Sequence, residues 1–445
     1  MSNNFNSSNI LVSGGAGFVG SNLVKLILKE NESVKVTVID NLLSAEEFNL
    51  PKDQRLTFIK GSISDDSTLV KVKDEFDYIF HLATFHGNQS SIHDPLKDHQ
   101  NNTLTTLKLF EHLKDSKALK IIHPQDEWIF TDILNEFINE FKIDHVFSVA
   151  PPSEWPIIYS KVDRTKVKFH LALTGYLDDN SISKLLQFHK RTKRDIDVGY
   201  RATKAAEWYG SHGFLKTQIG DLFKKEAPKA GFKVDISNEE KDRILGDGWY
   251  EFLARCKYVI GVEGGSTVLD PKGEIYFKGK AYKEAHPNAT FTEVEQNCFP
   301  GQDGNLQLIA ISPRHIECCA LKTCQVLIEG YYNGILEPEK HYIPLKGDFS
   351  NLDEVFKKMR DNDLRERIVE QAYKDIVVSN KYTYSNYVKE VLSLVDERKL
   401  KGKGFRDAIY HWINRYYDKM FWINQNKKSP IRALNSVLIT IYIYS

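Results

Sequence analysis

The sequence has no imbalance of charge that would point to one class of partner. Sixty Lys and Arg side chains balance 60 Asp and Glu among 445 residues, so the net charge gives no indication of a nucleic acid partner. The first ten residues contain neither a basic stretch nor an apolar one, and we expect no secretory signal peptide. These features predict a cytoplasmic protein.

Long apolar runs and paired cysteines are also missing. The longest late apolar run, residues 437–444, is far too short to cross a bilayer. All five cysteines lie in the second half of the chain, and their spacing does not supply the close Cys/His pairs of a zinc site. We therefore expect reduced, partly buried thiols and no metal site.

The sequence does contain a regular alternation of short apolar segments with helical apolar spacing. Strands are predicted over residues 9–15, 34–40, 56–60 and 78–83, with a helix over 19–30 after the first of them. The alternation continues after residue 119, where the predicted helices include His315–Glu329. Such alternation predicts parallel strands joined by crossover helices, and hence an α/β fold class with Rossmann-like sheets.

A glycine-rich loop, Gly14-x-x-Gly17-x-x-Gly20, follows the first predicted strand. Glycines at this spacing allow a tight turn, a close approach of the backbone to a pyrophosphate and close packing of helix on strand. The next helix then offers unpaired N–H groups to the phosphates. Asp40 ends the second strand, where a carboxylate accepts from ribose hydroxyls and repels a 2′-phosphate. The pattern favours NAD over NADP; the alternative is a tight turn without a ligand.

At these residues the chain resembles the extended short-chain dehydrogenase/reductase family, which includes the NAD-dependent nucleotide-sugar epimerases and dehydratases. The similarity continues through Asp40-Asn41, Gly61–Asp65, His81–Thr84 and Asn102-x-x-x-Thr106, and it covers roughly residues 9–118. The resemblance implies a set of cofactor-binding residues: Gly14, Gly17, Phe18, Val19, Gly20, Asp40, Asn41, Ser62, Ile63, Leu82, Ala83, Thr84 and Asn102.

The catalytic residues of that family are not where the resemblance would put them. The family has a Ser or Thr after the fifth strand and then a Tyr-x-x-x-Lys, in which Tyr is the acid/base and Lys lowers its pKa. Here residues 121–127 contain no hydroxyl, and Tyr159-Ser160-Lys161 has the wrong spacing. Tyr200-x-x-x-Lys204 has the right spacing but comes late in the chain, and it is the alternative candidate.

The second half contains charged residues suited to a nucleotide sugar. Arg201 follows a predicted strand and Lys216 lies 15 residues later, so both would converge on a diphosphate and neutralise a leaving nucleotide. Glu317 lies in the first turn of a predicted helix, where it would either hold ribose hydroxyls or simply stabilise the helix start. Another predicted strand ends at Glu263 before a loop of small residues.

This pattern resembles the group 1 glycosyltransferases, which have two facing Rossmann-like lobes (the GT-B fold). The similarity covers roughly residues 119–394, although Ile309 stands where that family has the first of two glutamates. The resemblance implies Arg201, Lys216 and Glu317 as the catalytic, diphosphate- and ribose-binding residues. It implies Glu263, Gly264, Gly265, Ser266 and Arg314 as further donor-binding residues.

Most of these residues also have a purely structural interpretation. Arg201 and Lys216 would then form ion pairs, and Glu263 would be a buried, hydrogen-bonded scaffold residue. Asp126 and Glu127 would be ordinary caps, or one of them would be a base on the acceptor side.

The sequence leads to hypotheses about four parts of the chain and about three functions. The parts are an NAD-binding unit (1–118), a short first lobe (119–195), a donor-binding lobe (196–394) and a basic, aromatic helical tail (395–445). The leading hypothesis is an enzyme of polysaccharide biosynthesis that transfers a sugar, with retention, from a nucleotide-sugar donor to a glycan acceptor. The alternatives are an NAD-dependent nucleotide-sugar epimerase or dehydratase using Tyr200 and Lys204, and a non-catalytic nucleotide-binding scaffold. The tail either docks on the body or contacts the inner face of a membrane.

Overall fold

A computed structural model of the protein describes residues 5, 7–72, 76–83, 103–112, 120–124, 126–178, 181–394 and 440–444. Two predicted cofactor residues, Thr84 and Asn102, lie outside the described residues. So does most of the tail, and with it the prediction that the tail is helical and contacts a membrane. None of the described helices is long and apolar enough to cross a bilayer.

Strands and helices alternate along the described chain. The strands are β1 Asn9–Ser13, β2 Lys35–Asp40, β3 Leu56–Lys60, β4 Tyr78–His81, β5 Lys120–His123, β6 His145–Ser148, β7 Lys168–Leu171, β8 Ile196–Arg201, β9 Val234–Ser237, β10 Cys256–Gly261, β11 Gly264–Ser266, β12 Leu308–Ala310, β13 Cys324–Ile328, β14 Ile343–Leu345 and β15 Thr440–Tyr444. The α-helices are α1 Phe18–Glu30, α2 Asp66–Leu69, α3 Thr103–His112, α4 Thr131–Glu140, α5 Trp155–Ile158, α6 Ser181–Arg191, α7 Gly210–Glu226, α8 Asp247–Arg255, α9 Glu274–Ala285, α10 Phe291–Cys298, α11 Pro313–Ala320, α12 Leu352–Met359, α13 Asn362–Ala372 and α14 Tyr384–Ser393.

The first sheet has the order β3-β2-β1-β4-β15-β5-β6-β7. β1 runs parallel to both β2 and β4, with Ile10 opposite Val36 and Tyr78. β15 is antiparallel to both of its neighbours, β4 and β5. The sheet therefore contains strands from both sides of residue 118, which was the predicted boundary of the first part.

The second sheet, β14-β13-β10-β8-β9, is parallel throughout, with β8 and β13 flanking β10. One strand of this sheet contradicts a prediction. The helix expected over His315–Glu329 ends at Ala320 as α11, and the strand β13 follows it. Every residue of β13 is buried. A short, continuous apolar run is typical of a strand buried on both faces, and helical periodicity alone does not separate the two.

The cores follow this two-sheet arrangement. One apolar cluster packs the first sheet against its helices, and two others cover the opposite faces of the second sheet. The five cysteines are free and buried, four of them in the two clusters of the second sheet and Cys298 at the end of α10. The α/β class with parallel, Rossmann-like sheets predicted from the sequence is confirmed.

Candidate functional site

The glycine loop forms the turn from β1 into α1. Gly14 has a φ of +74°. A Cβ built there would lie 2.5 Å from the backbone nitrogen of Ala83, two residues after the end of the neighbouring strand β4. At Gly17 the conformation is ordinary, and a Cβ would meet only the carbonyl oxygen of Gly14, at 3.3 Å. Gly14 is therefore required by the packing of the fold. At Gly17, in contrast, the lack of a side chain keeps open a space that a larger residue would fill.

Asp40 closes this loop from the end of β2. Its Oδ2 accepts a hydrogen bond from the N–H of Ala16 at 2.9 Å, and its Oδ1 accepts from the N–H of Leu42 at 2.8 Å. The residue is only 9% exposed. Because each carboxylate oxygen has two lone pairs, both oxygens keep acceptor capacity for ribose hydroxyls.

These residues line one cavity, which we call the glycine-loop pocket. The predicted cofactor residues that line it are Gly14, Gly17, Val19, Gly20, Asp40, Asn41, Ser62, Ile63, Leu82 and Ala83. Sequence reasoning missed Leu43, Ser44 and Ala45, which line it from the segment directly after Asp40-Asn41. A bare glycine backbone, a helix start and an acid at the far end fit a dinucleotide.

A buried chain of polar contacts supports the floor of this pocket. The Oγ of Ser13 lies 2.6 Å from Nδ1 of His81, and Nε2 of the same ring lies 2.9 Å from Oγ1 of Thr106. Burial lowers the pKa of His81 to about 4, so the ring is neutral near pH 7. These contacts connect β1, β4 and α3. His81, the histidine of the His81–Thr84 motif, therefore has a positioning role.

The pair Tyr200 and Lys204 does not have the geometry of a catalytic acid/base pair. Tyr200 lies on β8 of the second sheet, is 1% exposed and donates its hydroxyl to the backbone oxygen of Lys216 at 3.1 Å. The Lys204 ammonium is exposed and pairs with Glu239 at 2.9 Å. Neither residue lines the glycine-loop pocket. This geometry does not support the prediction that the two residues act as an epimerase pair, because the tyrosine is a core residue.

A second cavity, the inter-sheet cleft, opens between the carboxyl ends of the two sheets and has a volume of about 740 Å³. The first sheet contributes His123, Asp126, Trp128, Val149 and Thr174. The second contributes Thr203–Ala206, Lys216, Gly264 and Gly265. Ligands of α/β proteins bind outside the carboxyl ends of parallel strands, where the loops meet.

Two cations lie at this edge of the second sheet without a carboxylate partner in the described part of the chain. Lys216 forms no hydrogen bond or ion pair through its Nζ there, and burial together with the nearby Arg314 lowers its pKa. Arg314 donates from Nη2 to the backbone oxygen of Arg201 at 2.5 Å, while its buried Nε has no partner. Lys216 lines the inter-sheet cleft, whereas Arg314 lines a separate cavity.

Arg201 is not the partner of Lys216 that the sequence predicted. Its Nη2 pairs with Oδ1 of Asp235 at 2.7 Å, and its other donors bind the backbone oxygens of Tyr200, Asp235 and Asp242. The structural interpretation of Arg201 as an ion pair is therefore the correct one. The cation close to Lys216 is Arg314, which the sequence analysis placed only among the donor-binding residues.

Glu317 also has a partner within the protein. Its Oε2 accepts a hydrogen bond from the indole N–H of Trp249 at 2.8 Å, and burial raises its pKa. Trp249 lines a separate cavity, the Trp249 pocket, together with Arg201, Tyr250 and Arg314. Glu317 thus lies behind this pocket and fixes the indole.

Glu263 and Ser266 are scaffold residues. Glu263 is 2% exposed, and its carboxylate accepts the backbone N–H groups of Tyr331, at 3.0 Å, and Tyr332. Burial raises its pKa to about 7. The hydroxyl of Ser266 donates to the backbone oxygen of Val268 at 2.9 Å. These contacts give Glu263 and Ser266 structural roles and do not support their predicted donor-binding roles, whereas Gly264 and Gly265 do line the inter-sheet cleft.

The described residues contain no group of three or more His, Cys, Asp and Glu side chains arranged to hold a metal ion.

Residues 10–125 match the model of the NAD dependent epimerase/dehydratase family. The amino-terminal unit is similar to this family. A dTDP-D-glucose 4,6-dehydratase of Dictyostelium discoideum is 32% identical over 127 residues, which are 27% of this chain and 29% of that protein. A dTDP-glucose 4,6-dehydratase of Mycolicibacterium smegmatis is 28% identical over 269 residues, 57% of this chain and 72% of that protein.

Among solved structures, the Bordetella bronchiseptica enzyme WbmF in complex with NADH is 60% identical over 25% of this chain and 32% of that chain, with a TM-score of 0.24. The chain spans only about 30% of the length of the first curated relatives it matches. The predicted resemblance of the amino-terminal unit is confirmed. The resemblance expected between residues 119–394 and glycosyltransferases is not shown by these comparisons.

Proposed function

We propose that the amino-terminal unit binds NAD and that the protein takes part in nucleotide-sugar conversion of the epimerase/dehydratase type. The observation that carries the proposal is the glycine-loop pocket, which is lined by the bare backbone at Gly17 and by Asp40. The relatives, whose names are those of nucleotide-sugar epimerases and dehydratases, support the same class. When bound, the nicotinamide coenzyme supplies the hydride chemistry.

The residues of this chain would hold the cofactor from three sides. The N–H groups of the first turn of α1 would bind the pyrophosphate, because they have no partner within the helix and lie at the positive end of the helix dipole. Asp40 would accept from the ribose hydroxyls. Ser62 and Ile63 would line the adenine side. We assign no acid–base residue to this unit, because Tyr200 and Lys204 lie elsewhere.

The proposal is tested by titrating NAD and NADP into the full chain by calorimetry. We expect NAD to bind and NADP to bind at least tenfold more weakly, because Asp40 repels a 2′-phosphate. Gly17→Val should abolish binding by filling the pocket. Gly347→Val is the matched control, because a Cβ there meets nothing within 4 Å and the backbone is ordinary. Binding of NAD that survives Gly17→Val would contradict the proposal.

A second candidate function, sugar transfer from a nucleotide-sugar donor, is favoured by Lys216 and Arg314. Lys216 is half-buried and lines the inter-sheet cleft, and the nearby Arg314 lines the Trp249 pocket. Two cations of this kind are a costly arrangement unless an anion binds between them. A diphosphate would satisfy both cations and leave the sugar in the inter-sheet cleft. A non-catalytic scaffold protein would use the glycine-loop pocket and the inter-sheet cleft for binding alone.

Lys216→Met tests this second function. We expect it to weaken binding of inorganic pyrophosphate and of nucleoside diphosphates at least tenfold, since one charge-assisted contact is lost. Lys225→Met on the same helix, whose side chain is 75% exposed, is the control. Equal affinities for the two variants would remove the support for a diphosphate site. A site that binds diphosphates without turning over any nucleotide sugar would favour the scaffold.

A further inference from the structure

Asp126 has a left-handed backbone conformation. It follows β5, lines the inter-sheet cleft and has a φ of +51°, in the left-handed region that residues other than glycine rarely adopt. Such a conformation costs free energy and is concentrated at functional sites, where it aims a side chain. Here it occurs at the exit of a strand, facing the other sheet.

Charged and titratable groups from both sheets surround this carboxyl. Lys216 lies across the cleft and lowers its pKa, while Tyr209, just before α7, lies on the same side as Lys216. Lys204 and His123 line the same cleft, but Lys204 pairs with Glu239, and His123 Nδ1 lies 3.1 Å from the hydroxyl of Tyr387. Desolvation dominates and raises the pKa of Asp126 to about 6, although the residue keeps an open side toward solvent.

The neighbouring acid is already engaged. Glu127 is fully buried, and its carboxylate accepts from the N–H of Val149 at 2.8 Å and from the hydroxyl of Tyr159. It therefore holds the ends of β5 and β6 together. Of the two acids that follow β5, only Asp126 reaches the cleft.

Aromatic rings form much of the wall beside Asp126. Trp128, Trp208, Tyr209 and Tyr276 line the cleft, and the rings of Trp128 and Tyr209 lie 4.5 Å apart, centroid to centroid. Rings of this kind present flat apolar faces and polar edges. A wall of this composition suits a ligand that has both apolar faces and hydroxyl groups, as a sugar has.

We infer that Asp126 is the proton acceptor for a sugar hydroxyl, or a water molecule, that attacks a nucleotide sugar in the inter-sheet cleft. The inference rests on the second proposed function. The hydroxyl proton moves to a carboxylate oxygen of Asp126, and the freed electron pair of the hydroxyl oxygen forms the bond to the anomeric carbon. The bond from that carbon to the diphosphate oxygen breaks, and its electron pair leaves with the diphosphate, which Lys216 and Arg314 neutralise.

This step is a single displacement, so it inverts the anomeric configuration. The sequence predicted transfer with retention. Among the described residues that line the cleft, Asp126 is the one carboxylate, and a double displacement with retention would need a separate carboxylate nucleophile.

Asp126→Asn is a suitable variant, because asparagine adopts the left-handed backbone readily and keeps the side chain's shape. The full chain is incubated with UDP-, GDP-, CDP- and dTDP-sugars with water as the acceptor, and release of the nucleoside diphosphate is measured. We expect release by the unchanged protein and a loss of at least about 100-fold in Asp126→Asn, with nucleoside diphosphate affinity kept. Asp163→Asn, on a surface turn, is the control and should release at the normal rate.

The outcomes test the role of Asp126 separately from sugar transfer itself. Equal release by Asp126→Asn and the unchanged protein would overturn the role of Asp126 and leave sugar transfer standing. No release from any of the four donors by the unchanged protein would overturn sugar transfer itself, and the role of Asp126 with it. Proton NMR of the freshly released sugar gives a further readout: an inverted anomer supports the inference, and a retained anomer overturns it.

Discussion

The carboxylate of Asp40 accepts a hydrogen bond from the backbone N–H of Ala16 at 2.9 Å, which ties the end of β2 to the glycine loop. The other oxygen of this carboxylate accepts a hydrogen bond from the N–H of Leu42, so Asp40 fixes the backbone on both sides of the pocket opening. One residue therefore links the conformation of the loop to the place where a ribose would bind.

Replacing Asp40 by Asn should weaken NAD binding. The amide keeps one acceptor but loses the charge and the second acceptor, and charge-assisted hydrogen bonds contribute about 1.5–3 kcal/mol each. We expect at least a tenfold loss of NAD affinity and a smaller preference over NADP, measured by calorimetry. Asp66→Asn is the control, since that side chain is exposed and only pairs with Lys108. An unchanged NAD affinity in Asp40→Asn would exclude a ribose role.

Gly14→Ala should lower the free energy of unfolding by at least about 2 kcal/mol. The left-handed backbone is strained for alanine, and the new Cβ meets the Ala83 backbone at 2.5 Å. Gly17→Ala is the comparison: its φ is −66° and its Cβ meets a single oxygen at 3.3 Å. Urea unfolding of the two variants should therefore differ clearly. Equal stabilities would show that the close approach of Gly14 to the backbone after β4 does not matter for folding.

Tyr200→Phe should affect stability and leave NAD binding unchanged. The variant removes the hydrogen bond to the backbone oxygen of Lys216, which typically contributes about 1 kcal/mol. Lys204→Ala should change little, because its partner is an exposed surface acid. Thermal unfolding and NAD titration of both variants provide the check. Abolished NAD-dependent oxidation of a nucleotide sugar in Tyr200→Phe, with folding intact, would restore the epimerase pair that the geometry contradicts.

Glu263 should make stability depend on pH in an identifiable window. Burial raises its pKa from 4.5 to about 7 in the folded state. The folded protein then keeps a proton that the unfolded chain releases, so the stability that this group contributes is lost as pH rises from about 4.5 to 7. The loss is of the order of 3 kcal/mol.

Glu263→Gln isolates this contribution, because glutamine does not titrate. We expect the difference in unfolding free energy between the unchanged protein and the variant to shrink between pH 5 and pH 8, measured by urea unfolding. Other groups titrate equally in both proteins and cancel in the difference. A difference that stays constant across this range would show that Glu263 is not held in its neutral form.

The glycine-loop pocket was largely predictable from the sequence, because it is built by neighbours in the chain. One strand, one turn, one helix and the end of the next strand supply Gly14, Gly17 and Asp40. The inter-sheet cleft was predicted only in part. Lys216, Gly264 and Gly265 line it as expected, but Arg201 and Glu263 are engaged elsewhere. The helix predicted over residues 315–329 failed for a related reason, since a buried strand and a buried helix have similar apolar runs.

The order of residues alone determined the α/β class, the turn that demands glycine and the acid at the end of β2, since each depends on local sterics and on spacing within one supersecondary unit. Only the tertiary structure decided which charges meet. Whether an arginine binds a neighbouring strand or faces a cavity depends on what lies beside it after folding, and those neighbours come from distant parts of the chain. Asp126 and Lys216 are far apart along the sequence, and the packing of the two sheets places them on opposite sides of one cleft.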